Sequence, residues 1–450
     1  MPDPIQEALA DCNPNLPLEP GDKRYVDLDD LRGVPLRKSI LKKLRAADTR
    51  QLYAKIAVAG HRGSGKSTEI SRAQKELVEQ GYITLWASVN ENLDPKDISF
   101  SDVMRLIILL IDDRFGAQAD QYPAVKQAFD VVRDWFRQVT KTFSKEIGSA
   151  KEFGLKGALG GKASLELGGE ANGLLAKAGL KFKTDLGELA ASINVVRRSE
   201  GKERTEIKET LERYNNQLVD NVNSLLRAVA AIDGSKLVII LDNVDKYDPE
   251  TVNAAFLRHA SLFQSLDCHL IFTIQSSLLH QPVEDGVEES FGTISMPMLP
   301  VFLRHTRNPD PAVLAKLREA VYLRVPQNLF ADGDAAADQI ILASGGCWRD
   351  LLRLLEAALL SADDRIAAKD VKTATQQVAQ IYQRRLQQPA DLTTLAQAHL
   401  NHTILADERA RYLLHHLCIL AYNGEGWYDI HPLLDTYPPV KKAIDDATKS

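Results

Sequence analysis

The chain is poor in cysteine, in long apolar runs and in surplus positive charge. Its four cysteines in 450 residues, Cys12, Cys268, Cys347 and Cys418, lie far apart and form no C-x-x-C pair. That excludes a disulfide scaffold and the usual zinc spacings, and it fits a reducing compartment. No apolar run approaches the roughly 18 residues of a membrane-spanning helix; "LIILLI" at 106–111 stops at Asp112-Asp113. Residues 1–20, MPDPIQEALADCNPNLPLEP, are acidic and proline-bearing and lack the basic and apolar regions of a signal peptide. A net charge of −6 gives no global pull toward nucleic acid or an anionic membrane, so any such contact needs a local patch. The composition, 44% hydrophobic and 26% charged, is that of a soluble globular protein. A cytoplasmic protein with no membrane partner, of about two to four domains, is the expectation.

What is present is more specific. "AVAGHRGSGKSTEI" (57–70) places three glycines, a lysine and three hydroxyls after the apolar run Ile56-Ala57-Val58-Ala59 and before a segment with helical spacing of apolar residues. A glycine loop between a strand and a helix N-terminus turns backbone N–H groups inward and adds the positive end of the helix dipole, which makes an anion site. The pattern Gly60-x-x-x-x-Gly65-Lys66-Ser67 is that of a nucleotide P-loop. It assigns Gly60, His61, Arg62, Gly63, Ser64, Gly65, Lys66, Ser67 and Thr68 to phosphate binding. Lys66 reaches the β/γ-phosphates and Ser67 holds Mg²⁺, so ATP and Mg²⁺ are the expected cofactors.

A second element supports this. In "KLVIILDNVDKYD" (236–248) the apolar run Leu237–Leu241 ends in Asp242, with Asp245 three residues on. A buried parallel strand that delivers a carboxylate at its C-terminal edge matches the Walker B element, whose Asp orders Mg²⁺. Asp242 is therefore the second metal residue, and Asp245, or else Asn243, is the candidate to orient the attacking water. "HLIFTIQSS" (269–277) reads as the next strand; its Thr273 and Gln275 stand at the edge where open α/β sheets bind ligands. In "ASGGCWRDLLRLLEAALLSA", Gly345-Gly346 precede a helix with Arg349 in its first turn. The dipole disfavours a cation there, so Arg349 answers an anion or pairs locally with Asp350 or Glu356.

The rest of the chain frames these motifs. Residues 1–24 read as a loose leader and 25–300 as the nucleotide core. "YITLWASV" (82–89) is its second strand. "FSDVMRLIILLIDDRF" and 116–153 read as helix, and helix returns over 203–230. An insertion occupies about 140–200, where glycines 154, 157, 160, 161, 168, 169, 173, 179 and 187 alternate with lysines 156, 162, 177, 181 and 183. It reads as a hairpin-like arm for an anionic partner or neighbouring subunit, or as a surface insertion without a role. Residues 301–386 form a helical lid. In 387–450 a long helix over 403–421 precedes "YNGEGWYDIHPLL", with Asn423-Gly424 as a hairpin signal, which gives a winged-helix-like end.

Together "GHRGSGKSTEI", "IILDNVDKY", "IFTIQSS", "SGGCWRDLLRLL" and "YNGEGWYDIHPLL" resemble bacterial ATPases of the AAA+/STAND type over roughly residues 25–435. The resemblance implies an α/β fold: a P-loop parallel sheet flanked by helices, a helical lid and a small winged-helix-like C-terminal region. It makes Thr273, with Gln275 as rival, the first sensor and Arg349 the second, and it puts a base pocket at "RYVDLDDLRG". An arginine from a neighbouring subunit, with Arg258 as the choice, would complete a shared site. AAA+ motors follow the Walker B Asp with a Glu; here Asn243 holds that place, a spacing closer to STAND and KAP-like ATPases. The implied function is a slowly hydrolysing switch that controls assembly as a homo-oligomer or acts on a protein effector encoded nearby, as in anti-phage defence. The alternatives are a DNA-loading, initiator-like ATPase and a scaffold that binds ATP without hydrolysing it. A small-molecule kinase is disfavoured, because the sequence offers no second substrate pocket.

Overall fold

A computed structural model describes residues 3–94, 96–146, 212–232, 234–280, 286–422 and 426–449. The central sheet holds β1 (Lys55–Ala59), β2 (Ile83–Ser88), β3 (Leu237–Asp242), β4 (His269–Ile274) and β5 (Gly292–Ser295). Its order is β2-β3-β4-β1-β5, and every pairing is parallel. The inner strands β1, β3 and β4 are buried along their whole length. Successive residues point to opposite faces, so each strand serves two cores. Ala57, Ile239 and Phe272 face one; Ile56, Val58, Ile240 and Ile271 face the other. The first is covered by helices Phe100–Phe115, Pro123–Glu146 and Asn215–Ala230, the second by Leu36–Thr49 and the P-loop helix Lys66–Glu79. The short β5 escaped the sequence reading, because four residues, "GTIS", are too few to show a period.

Beyond the sheet, helices Pro311–Tyr322, Asp334–Ser344, Trp348–Ser361 and Ala368–Gln383 form the lid. It shares one hydrophobic core with the C-terminal helices Pro389–Asn401 and Pro438–Lys449 and with the antiparallel pair β6 (Ile419–Tyr422) and β7 (Trp427–Ile430). The α/β sheet, the helical lid and the small C-terminal sheet agree with the fold expected.

Two local readings change. The helix expected over 403–421 is confined to Glu408–His415; Leu417 takes the left-handed φ of 60° and turns the chain into β6. "CILAY" is a short apolar run that fits strand or helix equally, and pairing with β7 decides it. The leader is not loose. Asp3 caps helix Pro4–Asp11, and Ala8 and Cys12 are buried in the lid core. Asn423-Gly424 and the 154–187 arm lie outside the described residues, as does 203–211. All four cysteines are free and buried. Among the described residues no helix is long and apolar enough to cross a membrane.

Candidate functional site

The C-terminal ends of β2 and β3 and the loop after β1 open on a cavity of about 540 Å³. Gly63, Gly65, Lys66, Ser67 and Thr68 line it from the P-loop, Asp242 from the end of β3, Asp245 from the 3-10 turn Val244–Lys246 that follows, and Arg349 from the lid. Gly63 (φ 82°) and Gly65 (φ 99°) occupy the left-handed region, which lets the loop wrap with its N–H groups inward. Gly60 is needed for close approach: a Cβ there would stand 2.5 Å from the Met296 carbonyl oxygen.

Lys66 Nζ donates to the carbonyls of Gly60 (2.8 Å) and His61 (2.9 Å) and pairs with Asp245 Oδ2 at 2.7 Å. Burial pushes the Asp245 carboxyl up, but Lys66 outweighs it and holds the group below its ordinary value. Thr273 Oγ1 donates to Asp245 Oδ1 at 3.5 Å. Asp242 is the opposite case. Burial and the Asp245 charge raise it, while a hydrogen bond from Ser67 opposes them. Its Oδ1 is buried without a hydrogen-bond partner, a costly arrangement for a carboxylate. This orphaned oxygen beside the Ser67 hydroxyl is the donor set a hard divalent cation takes. Among the described residues no group of three or more His, Cys, Asp and Glu could hold a metal, so Mg²⁺ here would draw its remaining ligands from phosphate and water.

Other expected residues take different positions. Asn243 (φ 63°) donates from Nδ2 to Ser88 Oγ at 2.7 Å, which commits its side chain to the neighbouring strand. Gln275 donates to the Tyr247 carbonyl and accepts from His415 Nδ1, so it ties β4 to the C-terminal region and does not line the cavity. His61 accepts from the Ala421 N–H at Nε2 (2.8 Å), which leaves the ring proton on Nδ1 for Ser276 Oγ at 3.1 Å. Burial, with Lys66 nearby, pushes His61 down to about 3, so it is neutral. Arg62 donates from Nε to the Asp245 carbonyl (2.9 Å) and from Nη2 to the Lys246 carbonyl (3.0 Å). Ser64 accepts at its carbonyl from Arg32 Nη2 at 2.8 Å. Arg258 is exposed after a π turn, Asn253–Leu257, away from the cavity walls.

Arg349 makes no hydrogen bond or ion pair among the described residues. The local alternative is withdrawn for Asp350, whose oxygens serve Tyr382 (2.5 Å), His431 (3.2 Å) and Arg353 (3.2 Å). The lid reaches the P-loop directly: Trp348 N–H donates to the Gly63 carbonyl at 2.9 Å. Gly346 (φ 79°) makes room for it, since a Cβ there would stand 2.1 Å from the Leu299 carbonyl oxygen.

Several wall residues escaped the motif reading. Asn13–Glu19 of the N-terminal segment line the cavity, and Leu18 N–H donates to Thr68 Oγ1 at 3.3 Å. Tyr25, which lies in the "RYVDLDDLRG" segment where a base pocket is expected and lines the cavity with Val26, Leu28 and Arg32, donates to Glu69 Oε1 (2.9 Å) and lies 3.5 Å beneath the Arg72 guanidinium. Burial pushes Glu69 up to about 7, with Arg32 pulling it back. The amphipathic spacing of "PIQEALAD" was a usable signal for the N-terminal helix. Glu69 carried none, because a glutamate in a first helical turn is ordinary.

No protein-family model and no curated protein matches the chain. Solved structures similar in outline include the ORC2 protein of Aeropyrum pernix in ADPNP and ADP complexes (10% identity, 98% of each chain covered, TM-score 0.44). The Walker-type ATPase PABY2304 of Pyrococcus abyssi is another (12%, 96% of this chain and 99% of that one, 0.43). The ORC1 protein of Aeropyrum pernix in complex with DNA is a third (11%, 95% of each, 0.35). At these scores the likeness carries none of the argument that follows.

Proposed function

We propose that the chain binds ATP with Mg²⁺ in the 540 Å³ cavity, hydrolyses it, and reads the nucleotide state through its lid. The observation that carries this is the cluster Lys66, Asp242 and Asp245: a buried ammonium paired with one buried carboxylate, Asp245, and a second buried carboxylate, Asp242, with an orphaned oxygen. Ser67 and Asp242 would hold Mg²⁺, which when bound would neutralise charge on the phosphates. Lys66 turns from Asp245 to the β/γ-phosphates. That move frees Asp245, whose carboxyl then rises from its lowered value and can accept a proton from water, with Thr273 orienting it. Arg349, free of partners and at the lid's edge, meets the γ-phosphate from the same subunit. Tyr25, Val26 and Leu28 face the base.

The lid touches the P-loop at Gly63 and the C-terminal sheet touches it at His61, so nucleotide arrival and lid position are coupled. We assign the coupling to assembly of a homo-oligomer or to a protein effector; the bacterial defence role stays an expectation of the resemblance. Calorimetry and steady-state phosphate release test the reading. Lys66→Ala and Ser67→Ala should lose ATP-dependent behaviour, Asp245→Asn should retain bound ATP, and Arg349→Ala should weaken ATP at least tenfold. Normal ATP affinity in Lys66→Ala refutes the assignment. Mixing Arg258→Ala with Asp242→Ala restores turnover only if neighbouring subunits share a site. Turnover that rises with DNA and falls with salt would select the DNA-loading alternative.

A further inference from the structure

Behind the P-loop lies a second, smaller cavity of about 120 Å³, between the lid and the C-terminal region. Its walls carry four guanidinium groups, Arg62, Arg349, Arg353 and Arg385, together with His415 and His416. Asp350 is the single carboxylate among the lining residues, and its oxygens are already spent on Tyr382, His431 and Arg353. The arginines are anchored by their outer donors. Arg62 donates to the carbonyls of Asp245 and Lys246, Arg385 donates to the His416 carbonyl, and Arg385 lies 4.8 Å from the Tyr382 ring centre. Arg349 keeps its whole fork available and lines both cavities.

Four like charges around so small a space repel one another unless an anion sits between them. The histidines register the field: burial, then the neighbouring arginines, push His415 down to about 3 and His416 to about 4. Outside the lining, the exposed Asp248 lies 3.7 Å from His415 Nε2, and the buried Asp245, paired with Lys66, faces Arg62 and Arg349 from the nucleotide side. The chain therefore builds a preformed basic pocket whose lining carries four guanidinium groups against one carboxylate. A planar guanidinium fork matches an oxyanion in geometry as well as charge.

We infer that this pocket binds inorganic phosphate, as a station next to the nucleotide cavity and separated from it by Arg62 and Arg349. The size fits a tetrahedral oxyanion and excludes a nucleotide. If the ATPase reading holds, the γ-phosphate that water cleaves from ATP passes Arg349 and lodges here before release. The inference rests on that reading only for the source of the anion, not for the site.

Inorganic phosphate is titrated calorimetrically into the full chain, alone and saturated with a non-hydrolysable ATP analogue and Mg²⁺. One phosphate should bind in both cases. Its binding should weaken at least tenfold in Arg385→Gln and in Arg353→Gln, whose analogue affinity should stay within about twofold of the parent. Lys66→Ala, which loses nucleotide, should keep phosphate. Loss of phosphate binding on adding the analogue, or in Lys66→Ala, would place the anion on the P-loop and overturn the inference. Unchanged binding in both arginine variants would overturn it as well. Should Arg385→Gln lose its fold, Arg353→Gln decides. Failure of the ATPase reading shows separately, as no analogue binding with the phosphate isotherm intact. A lag in release of product phosphate, present in the parent and shortened in the arginine variants, identifies hydrolysis as the source; equal release excludes it.

Discussion

Lys66→Met is the most informative single change, because Lys66 and Asp245 form a buried pair that geometry alone makes measurable. The substitution removes the ammonium 2.7 Å from Asp245 Oδ2 and the donor to the carbonyls of Gly60 and His61. Asp245 is left buried near Asp242, a second carboxylate. Breaking a buried pair from one side costs about 3–5 kcal/mol. Arg62 and Arg349 still lower Asp245, which argues for the lower end, about 3 kcal/mol. That is a large share of a typical total of about 5–15 kcal/mol, so urea unfolding of the nucleotide-free protein resolves it.

The pH dependence carries the sign. In the parent the folded Asp245 carboxyl lies below its unfolded value, so its stabilisation is present above about pH 4 and is lost as pH falls through the lowered value. In the variant, burial and Asp242 raise the folded carboxyl above its unfolded value. The penalty is then full at neutral pH and fades as pH falls toward about 4. The two proteins should differ most at pH 7, the gap should narrow toward pH 4, and it should close only at lower pH, where the parent's Asp245 is protonated as well. Adding Asp245→Asn to Lys66→Met should recover most of the loss, as a double-mutant cycle on a contacting pair does. A gap below about 1 kcal/mol at pH 7, or one that does not narrow in acid, would refute the view that this pair is a coupled buried charge.

Asp242→Asn should act in the opposite direction on the free protein. The folded carboxyl is raised, so ionising it costs stability as pH rises, and the variant should unfold at higher urea at pH 7 but not at pH 4, while losing Mg²⁺-dependent ATP binding by calorimetry. Gly63→Ala forces a left-handed Cβ to within 2.7 Å of Cys347 Sγ and 2.8 Å of Arg349 Cβ. The backbone penalty and the overpacking together cost about 2–4 kcal/mol, and ATP affinity should fall with the lid displaced. His61, His415 and His416 are held neutral by burial and nearby cations, so the unfolded chain takes up protons that the folded chain refuses. Stability should therefore fall as pH drops below about 6.5, the ordinary histidine value; equal urea midpoints at pH 7 and pH 5 would contradict this. His61→Phe leaves the Ala421 N–H without its acceptor, which costs about 1–3 kcal/mol and should speed hydrogen exchange at Ala421 and limited proteolysis of the C-terminal region.

The sequence by itself determined the parts whose chemistry is local. A tight loop between a strand and a helix needs left-handed glycines, and those residues are consecutive, so the loop from Gly60 to Thr68 could be read directly as a turn with Gly63 and Gly65 at positive φ. The strand that ends in Asp242 is equally legible, because a strand buried on both faces must be apolar until it reaches the edge. β4 with Thr273 follows for the same reason. Short runs were not legible: "GTIS" and "CILAY" owe their strand form to partners elsewhere in the chain. Tertiary structure alone decided which side chains meet. Ala421 stands 360 residues from His61 in the chain, and Leu18 stands 50 from Thr68, yet both contacts fix the loop. Lys66 chose Asp245 over Asp242, Gln275 turned to His415, and Arg349 was left free, because each outcome depends on which groups burial brings within about 3 Å. No spacing along the chain encodes that distance. The basic pocket is the clearest case: its four arginines come from the P-loop and two lid helices and their edges, and only packing the lid against the C-terminal region closes them around one small space.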